Sequence, residues 1–314
     1  MDGASGNAQA AGGKGGRMRQ TLLVAALAIA AAGSGVAAQN LPQFDGAKAL
    51  AYTREYVDTT GPRWIGSPGH AKAEAFLKEQ FRHDQLEEDT FTTNTPAGPM
   101  TMHNFIVKFP GKKDGIIVLA SHYETNYPLR NIHYVGANDG GSTTGLLIEM
   151  ANDLRGRTQD GYSVWLLFTD GEEAIKSWSN TDSVYGSRHL AEKWQADGTL
   201  RRIQAFILAD MLGDRDLDIQ RDLNSTPWLE DLIDQAATQY GWQSYFFQTR
   251  TYDEDDHIPF VRRGVPCADL IDLNYGYDNA YWHTAQDTLD KLSAKSLTIA
   301  GDTILETIHL LNQR

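Results

Sequence analysis

Apolar positions along the chain follow two rhythms. Spacings of three and four predict amphipathic helices over residues 46–57 and 71–82, separated by a turn-rich stretch from Gly61 to Gly69. Short apolar runs predict strands over 91–93, 102–109 and 115–120. Helix and strand then take turns: helix 144–154, strand 163–168, helix 187–195, strand 203–208, helix 227–240, strand 268–273 and a last helix over 294–311. Such alternation predicts an α/β fold, with a mixed, mostly parallel central sheet and helices on both faces.

The first 38 residues follow another pattern. Residues 3–16 are Gly/Ala-rich without periodicity; Arg17 and Arg19 then precede an apolar run that exits through small residues at Val36-Ala-Ala38. Basic head, apolar middle and small-residue exit predict a signal peptide over 1–38, with Met18 as an alternative start and Gln39 first after cleavage. A single N-terminal membrane anchor is the alternative. Neither repeat nor low-complexity linker interrupts the remainder, so residues 39–314 are expected to form one catalytic domain, exported to the periplasm or secreted. No stable membrane partner is expected after signal cleavage.

Charge narrows the function. With 28 Lys and Arg against 41 Asp and Glu, the net charge of -13 excludes a general grip on nucleic acid. The lone cysteine, Cys267, cannot close an intrachain disulfide.

Several apolar strands end in acids or histidine: Ile116 to His122, Val164 to Glu173, and Phe206 to Asp210. A fourth acid, Asp139, stands just before a helix, where it could also act as a cap. Each alone reads as a cap or a turn. Together they mark a site at the carboxyl ends of the strands, where open α/β sheets bind ligands. Three of the nine histidines stand apart: His122 at a strand exit, His257 behind Asp255-Asp256, and His283 beside Trp282. Asp, Glu and His brought from separate loops suit a catalytic zinc site with one position left open. The pair Glu172-Glu173 is the sharper signal, because adjacent carboxylates at one strand mouth repel unless a cation or a proton intervenes. A division of labour follows, with Glu173 binding metal and Glu172 carrying protons. The run Glu87-Glu88-Asp89 reads instead as a solvated acidic turn.

These residues resemble the zinc-dependent glutaminyl-peptide cyclotransferases of the animal type, within the wider zinc aminopeptidase clan of peptidase family M28. The resemblance runs from Pro62-Arg-Trp-Ile-Gly-Ser-Pro-Gly69 to Trp282-His-Thr-Ala-Gln-Asp287. It is carried by Ser121-His-Tyr-Glu124, Val135-Gly-Ala-Asn-Asp139, Asp170-Gly-Glu-Glu-Ala174, the segment from Trp178 to Ala191, and the segment from Glu254 to Pro266. It implies a zinc aminopeptidase-like sandwich that holds one Zn2+ on Asp139, Glu173 and His283. Glu172 is then the acid/base, Asp210 and Asp255 complete a hydrogen-bonded carboxylate group around it, and Trp178, Trp282 and Glu254 contact substrate. The implied substrates are peptide or protein N-termini beginning with Gln, cyclised to pyroglutamate with loss of ammonia. Where animal cyclases carry a disulfide this chain has Ser121 and Thr144; Glu124 replaces the clan's usual Asp, and Glu254 the animal Gln. The alternative is a two-zinc aminopeptidase, with His122 and Asp210 holding a second ion. A silent peptide-binding protein is a third reading, disfavoured because no polar position of the site is replaced by an apolar residue.

Overall fold

The computed structural model describes residues 41–156 and 159–314. Helix α1 (Gly46–Thr60) starts where the Asp45 carboxylate accepts from the Lys48 amide at 3.0 Å. Helix α2 (Pro68–Gln80) starts earlier than its apolar pattern predicts. Ser67 accepts from the His70 amide at 3.0 Å and Pro68 occupies the first turn, so the end of the turn-rich stretch is a helix cap.

Three strands follow: β1 (Gln85–Thr95), β2 (Gly98–Phe109) and β3 (Gly111–His122). Here Glu87-Glu88-Asp89 needs correction, because these acids lie within β1, opposite Ile106, Phe105 and Asn104 of β2. Lysines meet them: Lys108 pairs with Glu87, Lys78 with Glu88 at 2.8 Å, and Lys193 with Asp89 at 2.8 Å. β1 is an edge strand, and charge on an edge discourages pairing with another chain.

The remainder alternates largely as predicted, through α3 (Gly141–Leu154), β4 (Gln159–Thr169), α4 (Tyr185–Asp197), β5 (Ile203–Asp210), β6 (Ile219–Asp222), α5 (Pro227–Tyr240), β7 (Phe246–Thr251), α6 (Ile258–Val261), β8 (Cys267–Ile271) and α7 (Ala294–Asn312). β6 and β7 pair in a small parallel sheet that the apolar pattern does not predict. The main sheet runs β1-β2-β4-β3-β5-β8, with β4, β3, β5 and β8 parallel and the β1-β2 hairpin antiparallel at one side. It is the mixed, mostly parallel sheet expected from the sequence.

From β3 the chain crosses through α3 to β4 on one side, then through α4 to β5 on the other. Right-handed crossovers in opposite directions place the two helices on opposite faces. One core packs Val57, Leu147, Ile233 and Ile304 against Ile117, Leu166 and Ile207; the other packs Leu190, Trp194 and Phe260 against Val118, Leu167 and Phe206. Covered on both faces, the central strands are apolar at consecutive positions rather than alternately. Strand order reverses beside β3, which opens a crevice at the carboxyl ends there.

The predicted signal segment, residues 1–38 with Met18, lies outside the described residues. Among the described residues no helix is long and apolar enough to cross a membrane.

Candidate active site

Six segments reach that crevice. β3 delivers His122, the turn into α3 delivers Asp139, and the exit of β4 delivers Asp170-Gly171-Glu172-Glu173. β5 ends in Asp210, the turn before α6 carries Glu254 and Asp255, and the loop after β8 carries Trp282 and His283. Gly140, at φ +68°, follows Asp139, and a Cβ there would lie 2.8 Å from the His122 ring. Only glycine meets both demands.

Asp139, Glu173 and His283 converge. His283 Nε2 lies 3.0 Å from Glu173 Oε1 and 3.2 Å from Asp139 Oδ2, and the three side chains offer ligand atoms within 4.8 Å of one another. Two carboxylates and an imidazole, with a cleft on one side, form a donor set suited to a divalent metal with an open position. Burial opposes charge on His283, but the carboxylates of Glu173 and Asp139 override it and hold the imidazole up at about 11. Around the triad, Asn126 Nδ2 donates to Glu173 Oε2 at 2.6 Å, the Glu173 amide donates to Glu124 Oε1 at 3.1 Å, and the Tyr134 hydroxyl donates to Asp139 Oδ2.

A second grouping stands beside the first. His122 Nε2 lies 3.0 Å from Asp139 Oδ1 and 3.3 Å from Asp210 Oδ1. These are the residues the two-metal alternative requires. Burial opposes the charge of His122, and the hydrogen bonds to Asp139 and Asp210 overcome it, holding the imidazole well above its ordinary range.

Glu172 is buried between the groupings. Burial first, then the nearby charge of Asp255, hold its carboxyl well above the ordinary range. Burial and Asp210 do the same for Asp255. The three acids sit together, but the hydrogen bond of Asp210 goes to His122.

Apart from His122, these groups line a cleft of about 620 Å³ that also takes in Trp178, Trp282 and Glu254. Trp282 stacks on His283 with ring centroids 4.1 Å apart. Trp178 and Trp282 remain about 40% exposed, 42% and 40%. Large apolar rings left open at a cleft mouth are wall surface rather than core.

The supporting residues were missed in the sequence. Asp170 accepts from His70 Nε2 at 2.9 Å and from the His103 amide at 2.8 Å, which fixes the root of the Glu172-Glu173 turn. Asp287 accepts from the Asn138 and Asp139 amides at 2.7 and 3.2 Å, and from the Tyr275 hydroxyl at 2.8 Å. Arg63 is fully buried over the Tyr56 ring, and its guanidinium donates to main-chain oxygens of Tyr123 at 2.6 Å, Val135, Gly136 at 2.9 Å and Asp139 at 3.1 Å. Arg63 and Asp287 both fall inside recognisable sequence stretches; what was not visible is what they touch. Ser121 and Thr144 make hydrogen bonds, Ser121 Oγ to Thr143 Oγ1 at 2.7 Å and Thr144 Oγ1 to the Gly140 carbonyl at 2.6 Å.

His257 turns away from the cleft. It is sealed with Asp222 and Asp269, its Nε2 3.1 Å from Asp222 Oδ2 and its Nδ1 3.8 Å from Asp269 Oδ2.

Val184, Met211 and His283 adopt left-handed backbone, with φ of 43°, 52° and 52°. Each conformation costs about 1–2 kcal/mol for a residue with a Cβ. Val184 donates its amide to the Glu172 carbonyl at 2.7 Å, Met211 follows Asp210, and His283 is a member of the triad. Backbone strain held at a site by the surrounding fold is a mark of function.

Fold, crevice and donor set together describe a metallohydrolase-like class. The profile of Peptidase family M28 matches residues 104–308, and the chain belongs to that family. Within it, the chain is similar to glutaminyl-peptide cyclotransferases. It is 30% identical over 264 residues to that of Drosophila melanogaster, covering 75% of this chain and 73% of that one. To a glutaminyl-peptide cyclotransferase-like protein of Bos taurus it is 32% identical over 255 residues, covering 72% and 66%. Among solved structures, glutaminyl cyclase from an Acidobacteriales bacterium is 59% identical, with a TM-score of 0.86 and coverage of 88% of this chain and 98% of that one.

Proposed function

We propose that the chain is a glutaminyl-peptide cyclotransferase, which closes N-terminal Gln of peptides and proteins to pyroglutamate and releases ammonia. The observation that carries this reading is the buried Glu172 carboxyl beside the convergent Asp139, Glu173 and His283, at the floor of a cleft walled by two open tryptophans. Similarity to cyclotransferases on both the sequence and the structural side supports it.

Asp139, Glu173 and His283 would hold one Zn2+, as in the animal-type enzymes. Bound there, zinc supplies a Lewis acid that polarises the side-chain amide of the substrate. Glu172 accepts a proton from the attacking α-amine and delivers one to the departing ammonia. Burial, and the cost of a second charge beside Asp255, keep the carboxyl able to hold that proton, and Asp210 extends the group of acids around it. Trp178 and Trp282 confine the glutamine side chain in a curled form, and because nucleophile and electrophile belong to one residue, confinement itself accelerates closure. Glu254 stands at the rim, where the rest of the peptide leaves. Residues 1–38 would direct export, and the mature domain from Gln39 would act in the periplasm or outside the cell.

The second reading, a two-zinc aminopeptidase, is favoured by one observation, the approach of His122 to both Asp139 and Asp210. Mass spectrometry of a Gln-initiated peptide after incubation with the zinc-loaded enzyme separates the two. Loss of ammonia supports cyclisation; shortening by one residue overturns it. Metal analysis gives one zinc per chain in the first case and two in the second.

A further inference from the structure

A smaller cavity, about 210 Å³, lies on the far side of Trp178 from the triad. Trp178, Glu254 and Asp255 line both spaces, so a single layer of side chains separates them. The balance of charge changes across that layer, from an excess of acids to three arginines set against Glu192, Glu254 and Asp255. On the triad side acidic side chains outnumber the basic ones, Lys176 and His283. Beyond Trp178 three guanidinium groups appear, those of Arg188, Arg262 and Arg263, in a chain whose net charge is -13.

Arg263 is engaged, its Nε donating to Gln195 Oε1 at 2.9 Å and its Nη1 to the Pro259 carbonyl at 2.8 Å, but the ion pairs of these guanidinium groups are loose. Arg262 Nη2 lies 3.7 Å from Glu254 and Arg263 Nη2 lies 3.9 Å from Glu192, both long contacts involving exposed carboxylates. Arg188 is half-buried over the Tyr185 ring. It donates to the main-chain oxygens of Ser183 at 3.1 Å and Thr181 at 3.4 Å, while Glu192 and Asp182 act on it through space without an ion pair among the described residues. A partly desolvated guanidinium with donors to spare is suited to a carboxylate.

Resting on the cyclotransferase reading, we infer that this cavity is a subsite for an acidic side chain carried one or two residues after the N-terminal glutamine, with Arg188 as its main anchor and Arg262 at its rim. An extended peptide advances about 3.4 Å per residue, so the one or two residues after the glutamine run about 3–7 Å from the cleft, whose Trp178, Glu254 and Asp255 wall the smaller cavity shares. The overall negative charge repels acidic peptides at long range, so a preference for them must arise locally.

The test compares ammonia release from three C-terminally amidated peptides, Gln-Glu-Ala, Gln-Ala-Glu and Gln-Ala-Ala, by the zinc-loaded enzyme. One of the acidic peptides is expected to exceed the neutral one in kcat/KM by about three- to tenfold, an advantage that shrinks with added salt. Arg188→Gln should bring the ratio of acidic to neutral close to one. Arg262→Glu, at an exposed position that leaves the fold intact, should reduce the ratio as well. Lys112→Gln, at the opposite end of β3, should leave it unchanged. Equal or slower turnover of both acidic peptides, or a ratio that survives Arg188→Gln and Arg262→Glu, overturns the subsite alone. Absence of ammonia from all three peptides overturns the cyclotransferase reading and the subsite with it.

Discussion

Two groups in this molecule are built from the same parts, one histidine and two carboxylates. Asp139, Glu173 and His283 open onto the large cleft, with the His283 side chain 26% exposed. Asp222, His257 and Asp269 are sealed, and line neither of the cavities around Trp178. Asp222 is also occupied with its own chain: it accepts from the amides of Asn224 and Asp253, both at 3.1 Å, and from Ser225 Oγ at 2.9 Å. The sealed group thus ties β6 to the turn that carries Asp255, whereas the open group keeps ligand atoms facing solvent. Residue types are shared; access and prior engagement divide the support from the site.

That contrast can be broken most forcefully at Glu172. Glu172→Gln is expected to lower kcat by about 10²- to 10⁴-fold while zinc content and melting temperature stay near wild type. Unchanged turnover would remove Glu172 from proton transfer. His257→Ala should behave in the opposite way. Removing the imidazole strands the buried Asp222 and Asp269 side chains at a cost of about 3 kcal/mol, so calorimetry should show a fall of roughly 10 °C in Tm, with zinc bound normally by the protein that remains folded. Lost zinc with unaltered stability would make the sealed group a functional one.

His70 is an intermediate case, buried with Asp170 and Glu74 behind the Glu172-Glu173 turn. Burial pushes its imidazole down, but Asp170 and then Glu74 outweigh that and hold it up at about 9, above the ordinary 6.5. A raised value in the fold means that the stabilisation is fully present below pH 6.5 and lost as pH rises through about 9. The Tm advantage of wild type over His70→Gln should therefore be larger at pH 6 than at pH 9.5, by the equivalent of about 3 kcal/mol. A gap independent of pH would show that His70 carries no extra proton in the fold. The smallest effect belongs to Cys267→Ala. This thiol is fully buried, and burial pushes it well above its usual range, so peptide turnover should be unchanged and stability lower by about 1 kcal/mol. Loss of activity would reveal a thiol role.

The legible part of the molecule was the part with an unmixed pattern. β3, β4 and β5 are covered on both faces, so Ile116 to Ala120, Val164 to Phe168 and Phe206 to Leu208 read as strands, and the acids at their ends read as a site. β1 was cut short because Glu87, Glu88 and Asp89 answer lysines from β2, α2 and α4, partners that a local pattern does not register. β6 and β7 carry Gln, Arg, Asp and Thr and have no apolar run to announce them. Which of His257 and His283 would face the cleft depended on packing: His257 is buried behind Asp255-Asp256, and His283, with left-handed backbone, joins the triad. Arg63 was silent for a similar reason. An arginine in a turn is ordinarily exposed, and the oxygens that receive it lie 60 to 76 residues further along the chain.

That arginine bears on what happens when the site is emptied. Arginine keeps its charge at any pH a folded protein survives. With its protons committed to the oxygens that frame Asp139, it latches the receptor loop whether or not an ion is present, and its charge tempers the mutual repulsion of the bare acids. A chelated enzyme should accordingly keep the shape of its mouth, so that reloading is governed by ion arrival rather than by renewed folding.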